Sequence, residues 1–327
     1  MITPIIPFIT ACLCLFAFSC HAASLIDSGQ APIFDSDIKQ AIDRHPQTER
    51  TPTDLSHACS SDLKASILVP QAQMIDRSQL RYGQLGHFEQ HLSTRVSQIL
   101  NRELQQGFAL PFATERLDFT PSLSPKHSAN IPHWLNKITN SQYLLIPTIE
   151  SIATEDERYL LGLWEIDPQR QFVLKLTLYH GISGEQIWQK RYLSQAEWGF
   201  NKHTHVDSGS QIFWGSEYGQ NIDNVLVQVS QDLDSTLACR PVIAQIIARS
   251  GSQVMMNVGR RNGVKVGDTF KLALQNPLTD RFNLERITAV KTQTTITLEQ
   301  VSENTASAHL SPRDAALNIQ INDLILK

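Results

Sequence analysis

Three stretches of the chain space their apolar residues at steps that suit only one kind of element. Leu85, Phe88, Leu92, Val96, Ile99, Leu100 and Leu104 recur every three or four positions, which stacks them on one face of a helix of about five turns. Ile222, Val225, Leu226, Val229, Leu233 and Leu237 keep the same spacing. That second helix is expected to end at Cys239, just before Arg240 and Pro241, because proline disfavours helical backbone at the residue before it. Between the two, Phe172, Leu174, Leu176 and Leu178 alternate with Lys175, Thr177 and Tyr179, the period of a half-buried strand. Ser183-Gly184-Glu185 turns the chain, and Ile187, Trp188, Tyr192 and Leu193 mark an antiparallel return strand over 186–193.

Shorter signals fill in the rest of this region. Ala65, Ile67, Leu68 and Val69 read as a short buried strand, and Tyr143 to Ile149 as another, whose Pro147 points to a sheet edge or a bulge because it cannot donate to a ladder. Trp134, Leu135 and Ile138 suggest a short helix. Strand, helix, strands, helix predicts an α+β fold, an α/β sandwich over residues 60–240. After Pro241 the helical period disappears. Val242 to Ala248, Gln253 to Val258, Thr269 to Leu274, Ile287 to Leu298, Ala306 to Leu310 and Asp323 to Leu326 read as strands. Strands this short, separated by glycine-rich turns, fit a small all-β, barrel-like domain over 241–327 that closes its own edges.

The N-terminal segment follows a different pattern. Residues 1–23 carry no Lys, Arg, Asp or Glu, and the apolar run Ile5 to Phe18 ends in small residues at Ala22 and Ala23. This is the pattern of a secretory signal peptide, although it lacks a basic start, and the run is shorter than the roughly 20 residues of a membrane span. Lipidation at Cys20 is disfavoured, because Ala17-Phe18-Ser19 is a poor match to the box that precedes such a cysteine. Residues 24–59 are rich in Ser, Asp, Pro and Thr, with one helix-like stretch from Asp35 to Ile42. So short a segment rarely buries a core of its own and reads as an extended arm.

A chain of 327 residues suits two or three domains, and its 41% hydrophobic and 18% charged residues are those of a globular protein. A net charge of -4 provides no field to gather nucleic acid. Of the 5 cysteines, Cys12, Cys14 and Cys20 fall in the signal, which leaves Cys59 and Cys239. In an oxidising compartment an even pair points to a disulfide, here one that staples the two ends of the middle domain. Closing so long a loop contributes at most about 5 kcal/mol in the loop-entropy account. Two unpaired thiols are the alternative.

Little else in the sequence suggests chemistry. Gly259 to Gly267 is glycine-bearing and basic, but it lacks the Gly-Lys-Ser/Thr ending and the following helix of a phosphate loop. Arg260, Arg261 and Lys265 form a basic cluster that is either a contact for an acidic partner or a solvated hairpin tip. His203, His205 and Asp207 fall on one side of an extended segment and could hold a metal, but no fourth ligand is nearby in sequence. Glu155 and Glu157 sit in a charged loop. No nucleophile elbow, zinc-protease helix or dinucleotide fingerprint occurs. The expectation is a non-enzyme with no catalytic, cofactor or metal residues, no cofactor and no small-molecule substrate.

Several motifs carry a family resemblance. Leu68 to Gln73 is followed by Leu85-Gly86-x-Phe88-Glu89-x-x-Leu92. The Ser-Gly-Glu turn leads into Ile187-Trp188 and Tyr192. Then come Trp198-x-Phe200, Phe213-Trp214, Tyr218-Gly219 and a helix running to Cys239. Asn257-Val258-Gly259, Gly263-Val264 and Val266-Gly267-Asp268 follow in the C-terminal part. Over residues 60 to 327 the chain resembles flagellar assembly protein T, the H-ring component of sodium-driven polar flagella. The resemblance implies a periplasmic subunit of the basal-body ring, with flagellar basal-body and ring proteins as partners and self-association in a ring. It also implies a middle domain similar to the N-terminal domain of the Tol-Pal propeller protein. The family usually carries a folded N-terminal domain, for which only residues 24–59 stand here, so functions tied to that domain are not carried over. Trp188, Trp198 and Trp214 are read as packing. The other readings are an adaptor of a different envelope complex and a metal-dependent enzyme using His203, His205 and Asp207.

Overall fold

The computed structural model describes residues 63–111, 141–155, 158–160, 164–166, 168–279, 281, 285–315 and 318–327. The expected signal, the expected arm with its Asp35 to Ile42 stretch, Cys59 and the helix expected at Trp134 to Ile138 lie outside the described residues.

The mostly apolar run Ala65–Val69 forms β1, buried throughout, with Ser66 its one polar member, and Gln73–Met74 forms the short β2. The first helical stripe forms α1 (Phe88–Glu103), with Phe88, Leu92, Val96, Ile99 and Leu100 buried. Leu85 was expected inside this helix and lies just before it. Gly83, Gln84 and His87 have φ of 72°, 43° and 57°, so the backbone turns left-handed before the helix starts. Leu85 nevertheless reaches the core.

After α1 come β3 (Gly107–Pro111) and β4 (Tyr143–Ser151), then a small separate ribbon of β5 (Arg158–Leu160) and β6 (Trp164–Ile166). The alternating stretch becomes β7 (Gln169–His180) and its return strand β8 (Gln186–Glu197), both longer than the sequence signal. The main sheet has the order β3-β1-β4-β7-β8, with β2 beside β4. β1 is parallel to β3 and β4, whereas β4/β7 and β7/β8 are antiparallel. β4 is therefore a central strand and not the sheet edge that was one of the two expectations from Pro147; the other, a bulge, has a counterpart two residues on, where the register with β7 shifts between Ile149 and Ser151. The proline is tolerated because β1 pairs with β4 only at Tyr143 and Leu144, and β2 only at Thr148 and Ile149. Pro147 falls in the gap between them, where a donor on that side has no partner to meet.

One face of the sheet carries Tyr143, Leu145, Ile149, Phe172, Leu174, Leu176, Leu178 and Tyr192 into the main core. Two more helices cover that face alongside α1: α2 (Gln211–Gly215) and α3 (Glu217–Leu237). Ser210 caps α2 and Ser216 caps α3, each side chain accepting a backbone N–H of the first turn. Arg95 on α1 clasps Asp223 on α3 through two hydrogen bonds, one of 2.7 Å. Asp234 of α3 accepts the N–H groups of Gln105 and Gln106 at 2.9 and 2.8 Å, which fixes the chain leaving α1.

The C-terminal part is a second, antiparallel sheet. Its strands are β9 (Ile243–Ser250), β10 (Gln253–Met256), β11 (Thr269–Thr279), β12 (Glu285–Thr297), β13 (Gln300–Val301), β14 (Ala306–His309) and β15 (Leu324–Leu326), with the one-turn helix α4 (Pro312–Ala315) before the last. The order is β12-β11-β15-β9-β10-β14-β13. Its two end strands are consecutive in the chain, separated only by Leu298 and Glu299, so the sheet curls round until its ends approach. All of the described residues fall in one compact unit. The whole is an α+β fold of two main sheets and few helices.

Candidate functional site

The most unusual chemistry in the middle domain is a buried cation. Arg170, in the first residues of β7, is 0% exposed. Its Nε donates to the Ile152 carbonyl at 3.0 Å, Nη1 to the Tyr82 carbonyl at 3.2 Å and Nη2 to the Gln79 carbonyl at 3.1 Å. The guanidinium lies 4.1 Å from the centroid of Trp198 and 5.7 Å from those of Tyr82 and Tyr218. Burial pulls its pKa below the ordinary arginine value, while Tyr218 and Tyr82 favour the charged form. Three carbonyl dipoles and three aromatic faces take the place of a carboxylate.

Trp198 organises this cluster. It is 0% exposed and meets Tyr218 edge-on at 5.4 Å and Phe213 at 6.3 Å. The Tyr218 hydroxyl donates to the Gln171 carbonyl at 2.9 Å, and burial pushes its pKa upward. A Cβ at Gly83 would stand 2.6 Å from the indole, and φ there is +72°, so glycine is required on both counts. The turn before α1, the strand pair β7/β8 and the α2–α3 junction all converge on Arg170. Of the three tryptophans read as packing, Trp198 is fully buried, while Trp188 and Trp214 are partly buried against the same core.

A second constellation joins the two sheets. Arg261 and Asn262 lie in a 3-10 turn over Arg260–Asn262, not at a hairpin tip. Arg261 reaches across to the middle domain. Its guanidinium lies 4.1 Å from the Phe108 ring, and Nη2 donates to the Ala109 carbonyl and to Asn101 Oδ1, both at 3.3 Å. Asn101 Oδ1 also accepts the Ala109 N–H at 2.9 Å. Asn262, 1% exposed, donates to the Lys64 carbonyl at 2.8 Å, and its own carbonyl accepts the Lys64 N–H at 2.9 Å. The basic cluster therefore divides: Arg261 is an interdomain clamp, Arg260 pairs with Glu303 at 3.1 Å, and Lys265 is exposed.

His203, His205 and Asp207 are all exposed; His203 lies in a turn and Thr204 in a bend, so the segment is not the extended strand that would align them. The bonds that hold this segment in place differ in kind. The His203 carbonyl accepts from Gln84 Nε2, His205 Nδ1 bonds the Gln84 carbonyl at 2.9 Å, and Asp207 Oδ1 accepts the Gly209 N–H at 2.8 Å. Among the described residues, no group of three or more His, Cys, Asp or Glu is placed to hold a metal. Cys239 is exposed beyond the end of α3, Cys59 lies outside the described residues, and there is no disulfide among the described residues. A cleft of about 450 Å³ between α1 and α2 is lined by His91, Thr94, Arg95, Gln98, Gln211 and Trp214. The charge of its one arginine is already taken by Asp223.

Sequence reasoning did not find Arg170 or the Arg261 clamp. A single arginine in a strand gives no local sign of burial, since arginine is almost always exposed.

Residues 57–208 match the family described as flagellar assembly protein T, middle domain, and residues 251–327 match its C-terminal domain. Together these cover more than two-thirds of the chain. The family's N-terminal domain is not matched. No curated protein matches the chain. Among solved structures, a hypothetical protein from Chlamydia trachomatis is 10% identical, covering 54% of this chain and 99% of its own, with a TM-score of 0.39. The PelC dodecamer from Paraburkholderia phytofirmans is 9% identical, covering 56% and 92%, with a TM-score of 0.30. Protein XCC0632 from Xanthomonas campestris is 9% identical, covering 55% and 89%, with a TM-score of 0.34. These likenesses are too distant to bear on function.

Proposed function

Because the chain belongs to the flagellar assembly protein T family through its middle and C-terminal domains, we propose that it is a structural subunit of the periplasmic H ring of the flagellar basal body. It supports motor and flagellum assembly through contacts with basal-body and ring proteins, including further copies of itself. The family match is the observation that carries this reading. The clamp at Arg261 and Asn262 is consistent with it, because a ring subunit must hold a fixed shape under load. The buried polar groups Arg170 and Asn262 are spent on internal structure, as suits a protein that works by its surface and not by turnover.

The same reading gives the remaining parts their roles. Residues 1–23 direct export, the Cys59–Cys239 pair closes the middle domain in an oxidising compartment, and the curled C-terminal sheet is a small barrel. The middle domain shares the architecture of the N-terminal domain of the Tol-Pal propeller protein.

The test is electron cryo-tomography of flagellar motors in cells lacking the gene, together with a swimming assay. A missing outer periplasmic ring with lost or poor swimming is the expected result. An unchanged motor would overturn the ring assignment and leave an adaptor of another envelope complex.

A further inference from the structure

The turn between β7 and β8 belongs to both domains. Its tip, Ile182, is 4% exposed and packs with Ile243, Ala273, Leu324 and Leu326 of the C-terminal sheet. The turn is tight and pinned from below. The His180 N–H donates to the Glu185 carbonyl, and the Gly184 N–H to the His180 carbonyl, both at 2.8 Å. The Gly181 N–H donates to the Gln142 carbonyl at 2.6 Å, and a Cβ on Gly181 would stand 2.1 Å from the Ser141 carbonyl oxygen. There is no slack through which the turn could shift and still hold Ile182 in place.

The His180 ring closes this turn from inside. Nδ1 accepts the Ser183 N–H at 3.2 Å and lies 3.1 Å from Ser183 Oγ, which in turn accepts the Glu185 N–H at 3.3 Å. A nitrogen that accepts a backbone N–H carries no proton, so the closed turn requires a neutral imidazole with its proton on Nε2. The groups facing it are the Tyr143 ring on β4, edge-on at 5.7 Å, the Arg240 guanidinium after α3, and the Glu185 carboxylate of the turn itself. Of the two charges, Arg240 opposes an imidazolium and Glu185 favours one.

We propose that this turn is an acid-released latch between the middle and C-terminal domains. A proton taken from solvent onto His180 Nδ1 sets a donor against the Ser183 N–H, opens the turn and withdraws Ile182 from the C-terminal sheet. Burial first, and then Arg240, hold His180 below its ordinary value of 6.5 in the closed state. The sign follows from linkage. A group whose pKa is depressed in the closed state stabilises that state fully above the ordinary value, and this contribution is lost as pH falls below it. The latch is therefore shut at neutral pH and weakens on acidification, whichever assembly the chain joins.

Hydrogen exchange read by mass spectrometry on the full chain, at about pH 7.5 and about pH 5.5, tests this. His180→Asn keeps an acceptor oxygen in the place of Nδ1 and cannot be protonated. The two proteins are compared at the same pH, so that intrinsic exchange chemistry cancels. The wild type is expected to lose protection at Gly181–Glu185 and Leu324–Leu326 at the acid pH, with α1 unchanged, while His180→Asn keeps it. Ile182→Ala is expected to expose Leu324–Leu326 at both pH values. Equal acid loss in wild type and His180→Asn, or no acid loss in the wild type, would overturn the latch. If His180→Asn does not fold, unaltered protection of Leu324–Leu326 in Ile182→Ala would overturn it as well.

Discussion

Replacing Arg170 with methionine removes the buried guanidinium and keeps an apolar stem of similar length. Three hydrogen bonds from a charged donor contribute about 1.5–3 kcal/mol each, and a desolvated cation over an indole about 2 kcal/mol more. Against this stands the cost of burying the cation at all, several kcal/mol, which the substitution relieves. The carbonyls of Ile152, Tyr82 and Gln79 lose this donor and stay where they are, so the balance remains unfavourable. We expect a net loss of about 3 kcal/mol. For a domain of this size that corresponds to a melting point about 6–12 °C lower. Urea unfolding followed by tryptophan fluorescence measures it, with Trp198 as the local reporter. Arg170→Lys should recover little, because an ammonium on a flexible stem does not reproduce a planar fork aimed at three separate carbonyls. A loss under about 1 kcal/mol in Arg170→Met, or full recovery in Arg170→Lys, would refute the view that the guanidinium holds these segments together.

Other substitutions test the remaining joints. Arg261→Ala removes the stacking on Phe108 and two hydrogen bonds, and should lower the unfolding free energy of the full chain by about 1–2 kcal/mol in urea titration; an unchanged midpoint would mean the clamp is incidental. Gly181→Ala forces a Cβ toward the Ser141 carbonyl and should cost about 1–3 kcal/mol or abolish soluble expression, whereas a wild-type melting curve would show that the turn can yield. Peptide mapping of exported protein without reductant should recover Cys59 and Cys239 in one linked pair, and Cys239→Ser should destabilise by about 2–4 kcal/mol. Recovery of both as separate thiols would end the staple reading.

Much of the middle domain was legible from spacing. The stripes of α1 and α3 are long and regular, and the alternation in β7 with the Ser183-Gly184-Glu185 turn leaves few other folds for that stretch. The errors come from residues whose surroundings are set by distant chain. Pro147 pointed to an edge or a bulge, yet it sits in a central strand because β1 ends and β2 begins around it. The start of α1 was placed too early because left-handed residues at Gln84 and His87 carry no composition signal. Arg170 and Arg261 were respectively unremarked and left between two readings, since the aromatic rings that receive them lie far off in sequence, apart from Tyr218 and Trp198 nearer Arg170. The alignment imagined for His203, His205 and Asp207 presumed extended backbone, and the chain bends there instead.

The small lock at Ala109 has a bearing on how copies of the protein can meet. Sheets join most readily edge to edge, because an unpaired strand offers a ready row of donors and acceptors. On β3 the outward N–H of Ala109 is held by Asn101 and its carbonyl by Arg261, so that border of the sheet is closed at this residue. β8 forms the opposite border. Among the described residues no strand pairs beyond it. At Ala109, therefore, a neighbouring copy would find no free backbone group to pair with, and a contact at that point of the border has to be made by side chains.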